Sequence, residues 1–131
     1  MKRVGKIIEP SRGNIRDHER RTARAIANTG LTVEFVLASD QYLTKSPDLL
    51  IDGALWEMKS PKTSKLNQIQ NNLKKANRQS AYIIIDSQRI KRLPDKKIQD
   101  FLISRLRSQG SIKHLLFVNR RREVIDINGL L

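Results

Sequence analysis

The chain has 131 residues, enough for one domain with a hydrophobic core and too few for two. Lys and Arg number 26 against 13 acidic residues, and the formal net charge of +13 at pH 7 favours a polyanionic partner: nucleic acid first, an acidic protein second. Cysteine is absent and aromatics make up 5%, which excludes disulfides, thiolate metal sites and binding that rests mainly on base stacking, and no apolar run approaches the ~20 residues of a membrane span.

Residues 1–14 hold Pro10, Gly13 and several charges and read as an extended lead-in, with no apolar signal-peptide core after Met1-Lys2-Arg3. Asn14 stands where an N-cap belongs and Asp17 lies near the positive helix end, so a helix is expected from Ile15 to Asn28, stopped at Thr29-Gly30. Its inward face at helical spacing is Ile15, Glu19, Thr22 or Ala23, and Ile26. Glu19 is the misfit on that face. It is either a partly solvated partner of Arg16, Arg20 or Arg24, or a carboxylate directed at a functional site. Residues 31–37 alternate as a strand does, and 38–45 read as a polar loop.

The segment from Ser46 to Pro61 reads as two strands joined at Asp52-Gly53, the strongest short-range hairpin signal. With those two residues as the loop, Ile51 opposes Ala54, Leu50 opposes Leu55, and Asp48 faces Glu57. Opposed residues have Cβ atoms roughly 4.5–5.5 Å apart, so two carboxylates there repel unless a cation or a shared proton intervenes. Lys59 projects from the same face as Glu57, because side chains alternate along a strand. Trp56 and Met58 point the other way, into the core.

Beyond the hairpin, residues 64–79 show Leu66, Ile69, Leu73 and Ala76 at helical spacing, with Lys65, Asn72, Lys75 and Arg78 on the outer face. Residues 81–85 form a continuous apolar run, as in a strand buried on both faces. A basic loop with Arg89, Lys91 and Arg92 leads to a helix from Asp95 that closes at Ser108-Gln109-Gly110 and turns Ile98, Phe101, Leu102 and Leu106 inward. A strand over 115–118, a basic turn with Arg120-Arg121-Arg122 and a last strand over 124–127 complete the chain. The expected class is α/β: a mixed sheet flanked by helices in the order α-β-β-β-α-β-α-β-β, forming a single domain over 1–131.

The order of these elements, with Pro47-Asp48 on one strand and Glu57-Met58-Lys59 on the next, resembles the PD-(D/E)xK nuclease superfamily. That resemblance implies a divalent metal, usually magnesium, held by Asp48 and Glu57, with Lys59 orienting or activating the attacking water. A Glu on the first helix is a frequent supporting residue there, which draws Glu19 into the candidate site. Elementary chemistry runs the same way. In-line attack on a phosphodiester needs a cation on the non-bridging oxygen and a water of lowered pKa. Oxygen ligands suit magnesium, and a nearby lysine stabilises developing phosphorane charge.

A narrower resemblance lies in the wording of Gly13 to Glu19, Pro47 to Gly53, Trp56 to Pro61 and Asn71 to Ala76, which is similar to the C-terminal tRNase toxin domains of CdiA-type contact-dependent growth inhibition effectors. It implies a toxic RNase cleaving tRNA in the cytoplasm of a target bacterium, delivered as part of a larger secreted effector and held off in its producer by a cognate immunity protein. An acidic immunity protein would suit a +13 module. Several such toxins have a barnase/colicin-like fold and cleave RNA without metal; under that reading His18, Lys59, Ser60 and Thr63 carry the chemistry, with His18 as general acid or base. His114 opens an apolar strand and reads as structural.

Substrate contacts are expected from Ser60, Lys62, Thr63, Lys65, Lys75 and Arg78, with the 89–92 and 120–122 basic patches as further phosphate grips. A DNase of the same superfamily and a non-catalytic nucleic-acid-binding module are the remaining alternatives. The last of these predicts steeply salt-dependent binding and no cleavage.

Overall fold

The structure, a computed structural model, describes residues 3–11, 15–36 and 48–131. Among them a seven-stranded mixed sheet runs in chain order from β1 to β7. The strands are β1 (Ile7–Ile8), β2 (Val33–Val36), β3 (Asp48–Ile51), β4 (Ala54–Lys59), β5 (Tyr82–Asp86), β6 (His114–Val118) and β7 (Val124–Asp126). The helices among the described residues are α1 (Asp17–Ala27), α2 (Leu66–Gln79) and α3 (Asp95–Ser108), and a 3-10 turn, Ile127–Leu130, follows β7.

The expected α/β class and element order are observed, with one addition. Ile7–Ile8 pairs in parallel with Val33 and Glu34, so the lead-in carries a two-residue edge strand. Too short to show a period, it is held by its neighbours: Gly5 N–H donates to Ala27 O at 2.7 Å, and Val33 N–H to Lys6 O at 2.8 Å. A Cβ on Gly5 would meet the Leu31 carbonyl oxygen at 1.8 Å, so only glycine permits this approach of the lead-in to the end of α1.

Helix α1 begins later than its sequence suggests. Arg16 is the N-cap, and its backbone N–H donates to Glu19 Oε1 at 2.8 Å in a capping box. The N-cap expected at Asn14 and the polar loop expected over 38–45 lie outside the described residues.

The sheet separates two apolar clusters. On one face α1 sets Ala23, Ile26 and Ala27 against Val33, Phe35, Leu49, Trp56, Met58, Ile84 and Val118. On the other, α2 and α3 bury Ile69, Leu73, Ile98 and Leu102 against Ile83, Ile85, Leu115 and Phe117. Strand β5 is therefore covered on both faces, which is why its sequence is a run of isoleucines and not an alternation. Toward the hairpin the second face opens to solvent: Leu55, on β4, is 48% exposed.

Candidate functional site

The hairpin at Asp52-Gly53 forms as the sequence predicts. Ile51 opposes Ala54, Leu50 opposes Leu55 and Leu49 opposes Trp56, so the next pair outward is Asp48 and Glu57. Both turn residues take positive φ, 50° at Asp52 and 82° at Gly53, the type I′ geometry that matches strand twist. Trp56 and Met58 enter the α1-side core. Glu57 and Lys59, in register with Ile83 and Ile85, project to the face of α2.

Glu57 is 2% exposed, and its Oε1 lies 3.5 Å from Lys59 Nζ. Among the described residues no N–H or hydroxyl donates to its buried Oε2. Burial pushes the Glu57 pKa up to about 7, and the neighbouring Asp48 carboxyl adds to the rise, while Lys59 opposes it. The sheet thus assembles three of the expected groups, with a lone pair left over. Such a centre suits a shared proton or a hard divalent cation. Two carboxylates suffice for magnesium, which keeps several waters and takes further ligands from substrate phosphates. The donor chemistry and the orphaned Oε2 fit that ion.

Glu19 is placed elsewhere. Helix α1 packs on the Trp56 and Met58 face, opposite the one that carries Glu57, and the Glu19 carboxylate caps its own helix. Among the described residues no three His, Asp or Glu side chains converge as a metal-holding group, so the acidic centre there is a pair. His18, half-buried at the start of α1, has its pKa lowered by burial first and then by the Arg89 guanidinium. Arg89 in turn donates to Ser60 O from Nε at 3.0 Å and from Nη2 at 2.7 Å. This arginine therefore stands between the first helix and the end of β4, a link that no spacing in the sequence announces.

The Ser60 hydroxyl is buried without a hydrogen-bond partner among the described residues. Thr63 Oγ1 accepts from Lys65 N–H at 3.1 Å, closing the turn into α2. Lys62 and Lys65 are exposed at this turn. Lys75 and Arg78 are also exposed, but lie roughly 13–18 Å further along the α2 axis. These two are not part of the cluster around Lys59.

The two basic patches divide in a way the sequence does not reveal. Arg120 Nη1 reaches Asp95 Oδ1 at 2.8 Å, and Arg122 binds Asp86 through Nη1 and Nη2 at 3.1 and 3.0 Å. Two of the three consecutive arginines thus serve as internal ties. Lys91 and Arg92, by contrast, are exposed. His114 is structural in its contacts: Nε2 lies 2.9 Å from Asp126 Oδ1 and the ring packs 5.0 Å from Trp56.

No helix among the described residues is long and apolar enough to cross a membrane. No curated protein matches the chain. Among solved structures, a chain of a CdiA-CT/CdiI toxin and immunity complex from Burkholderia pseudomallei shares the fold, with a TM-score of 0.61 at 15% identity over 93% of this chain and 98% of that one. The family description of the contact-dependent growth inhibition CdiA C-terminal domain matches residues 45–124, a span that holds Asp48, Glu57, Lys59 and the 89–92 and 120–122 basic patches. With well over half of its length inside that match, the chain belongs to the CdiA C-terminal domain family of contact-dependent growth inhibition.

Proposed function

We propose that this domain is an antibacterial nuclease toxin that hydrolyses phosphodiester bonds in RNA, with tRNA as the expected substrate. One observation carries the reading. A tight turn sets Asp48 against the buried Glu57, with Lys59 at 3.5 Å and no N–H or hydroxyl among the described residues donating to Glu57 Oε2. A fold under no functional demand avoids opposing two carboxylates and then burying one of them. The net charge of +13 supports a polyanionic substrate. The cost is rational if the pair holds something, as the PD-(D/E)xK resemblance expects.

Asp48 and Glu57 would hold the ion. When bound, magnesium supplies charge neutralisation at a non-bridging phosphate oxygen and lowers the pKa of a water. Lys59 favours the ionised form of Glu57 against the upward push of burial and Asp48, and would present an ammonium to the phosphoryl oxygens, where negative charge develops. Arg89 fixes the strand end that carries Lys59 by holding the Ser60 carbonyl. The toxin and immunity complex that shares this fold supports a dedicated immunity protein as partner. Membership of the CdiA family supports delivery to a target cell from a larger effector, with action in its cytoplasm.

Incubating purified protein with total cellular RNA and with plasmid DNA, in magnesium or in excess EDTA, tests the reading. RNA cleavage that requires magnesium and disappears in Glu57→Gln is the expected result. Cleavage undiminished by EDTA, ending in a 2′,3′-cyclic phosphate, would instead assign the chemistry to a metal-free set that includes His18, Lys59, Ser60 and Thr63.

A further inference from the structure

We propose that the cleft between the β4–α2 loop and the β5–α3 loop is a phosphate-holding subsite for a polynucleotide strand, formed by Lys62, Lys91 and Arg92. Its ligand class rests on the nuclease reading; its location rests on the structure. The cleft has a volume of about 240 Å³ and is lined by Lys62, Thr63, Ser64, Lys91 and Arg92. Three cations and two hydroxyl residues line it, and among the described residues no carboxylate does. Among the described residues none of the three cations has an ion pair, although seven such pairs form elsewhere.

The two loops are joined, so the charges are held in place. Lys91 N–H donates to Thr63 O at 2.9 Å, and Arg89 binds Ser60 O just before. The cleft lies at the residues that lead into α2, whose first turn carries no acidic residue to offset its positive end.

Arg92 supplies an independent observation. Its φ of 64° lies in the left-handed region, which L side chains rarely adopt and which glycine takes freely. Among the described residues two other non-glycine residues share that conformation, each with a visible reason. Asp52 forms the tight hairpin turn, and Arg122 reaches the buried Asp86. Arg92 is exposed and makes no ion pair among the described residues, so no contact among them accounts for an arginine there. What the position gains over glycine is a cationic side chain on the cleft's lining, and backbone strain of this kind gathers at ligand sites. Lys62 follows Lys59 by three residues, at most about 11 Å of extended chain. A phosphate in the cleft is then a neighbour of the one at Asp48 and Glu57, and its capture would set the register of the strand.

The test is fluorescence anisotropy with a labelled single-stranded RNA, on the full chain carrying Glu57→Gln so that the RNA stays intact. Arg92→Gly should weaken binding about threefold or more at 0.1 M salt and reduce the salt slope by about 0.7, one phosphate contact. Its melting temperature should hold or rise, since glycine relieves the strain, which separates lost binding from lost folding. Combining it with Lys62→Gln and Lys91→Gln should lower the slope by about 2. Arg107→Gln, which removes one charge at the end of α3, should change the slope less. Cleft variants that match Arg107→Gln, or a parent that binds no RNA at any salt, would overturn the subsite. So would variants that keep RNA affinity and lose only an acidic protein partner. A wild-type chain that cuts nothing with any metal, yet binds RNA through these residues, would sink the nuclease reading and leave the subsite standing.

Discussion

Two carboxylates lie buried near strand ends in this fold, and they are treated in opposite ways. Asp86, at the end of β5, is fully buried and accepts five hydrogen bonds: from Thr22 Oγ1, Gln88 N–H, Gln88 Nε2 and both Arg122 terminal nitrogens. Its charge is compensated by groups from α1, the β5–α3 loop and the β6–β7 turn, so it ties three parts of the molecule together. Glu57, at 2% exposure, has one lysine at 3.5 Å, a second carboxylate beside it and an oxygen to which no N–H or hydroxyl among the described residues donates. Burial of a charge is thus no signal of function by itself. Burial without compensation is, because the missing partner is what a ligand supplies.

The largest effect expected from this contrast is on catalysis. Glu57→Gln should lower nuclease activity by about a thousandfold or more, while leaving thermal stability unchanged or higher. Asp86→Asn should do the reverse, destabilising the fold by about 3 kcal/mol because it leaves Arg122 beside an unmatched partner. Thermal melts and cleavage assays on both proteins decide it. Collapse of Glu57→Gln with a stable Asp86→Asn would invert the comparison.

Next comes pH. The folded state holds the Glu57 proton more tightly than the unfolded chain, with a pKa near 7 against an ordinary 4.5. The stability this proton contributes is fully present below about 4.5 and is lost as pH rises through about 7. In EDTA, denaturant unfolding should therefore show a decline of up to about 3 kcal/mol between pH 5 and 8, absent in Glu57→Gln. Magnesium should stabilise the protein more at pH 8 than at pH 6, because it binds the ionised pair. A flat profile would mean that Glu57 titrates normally.

Lys59→Met should reduce cleavage by about tenfold to a hundredfold, and shift the same transition to higher pH, since Lys59 opposes the upward shift of Glu57. Activity falling with no movement of the midpoint would separate Lys59 from Glu57. The smallest effect concerns hydroxyls. Thr22 donates to Asp86, whereas the Ser60 hydroxyl is orphaned. Thr22→Val should cost about 1–2 kcal/mol and Ser60→Ala less than about 0.5 in equilibrium unfolding. Equal losses would show that Ser60 has a partner within the fold.

Much of this site is legible before any coordinates. Asp52-Gly53 fixes the turn, the turn fixes the register, and strand alternation then puts Asp48, Glu57 and Lys59 on one face. The isoleucine run of β5 and the spacing of Ile69, Leu73 and Ala76 give the layers around it. Glu19 shows where such reading stops. Its helical position is plain, but whether the side chain reaches the hairpin or caps its own helix depends on which face of the sheet α1 covers. Arg120 and Arg122 look like the solvent-facing triplet they interrupt, and only their distant partners, Asp95 and Asp86, make them internal.

Local rules therefore decide the hairpin pair, the helices and the basic character of the chain, since each follows from interactions a few residues apart. Only the tertiary structure decides which charges are compensated, because Arg122 with Asp86, Arg89 with Ser60 and Lys91 with Thr63 are separated by 36, 29 and 28 positions. Compensation is a property of neighbours in space, and a linear order carries no record of it.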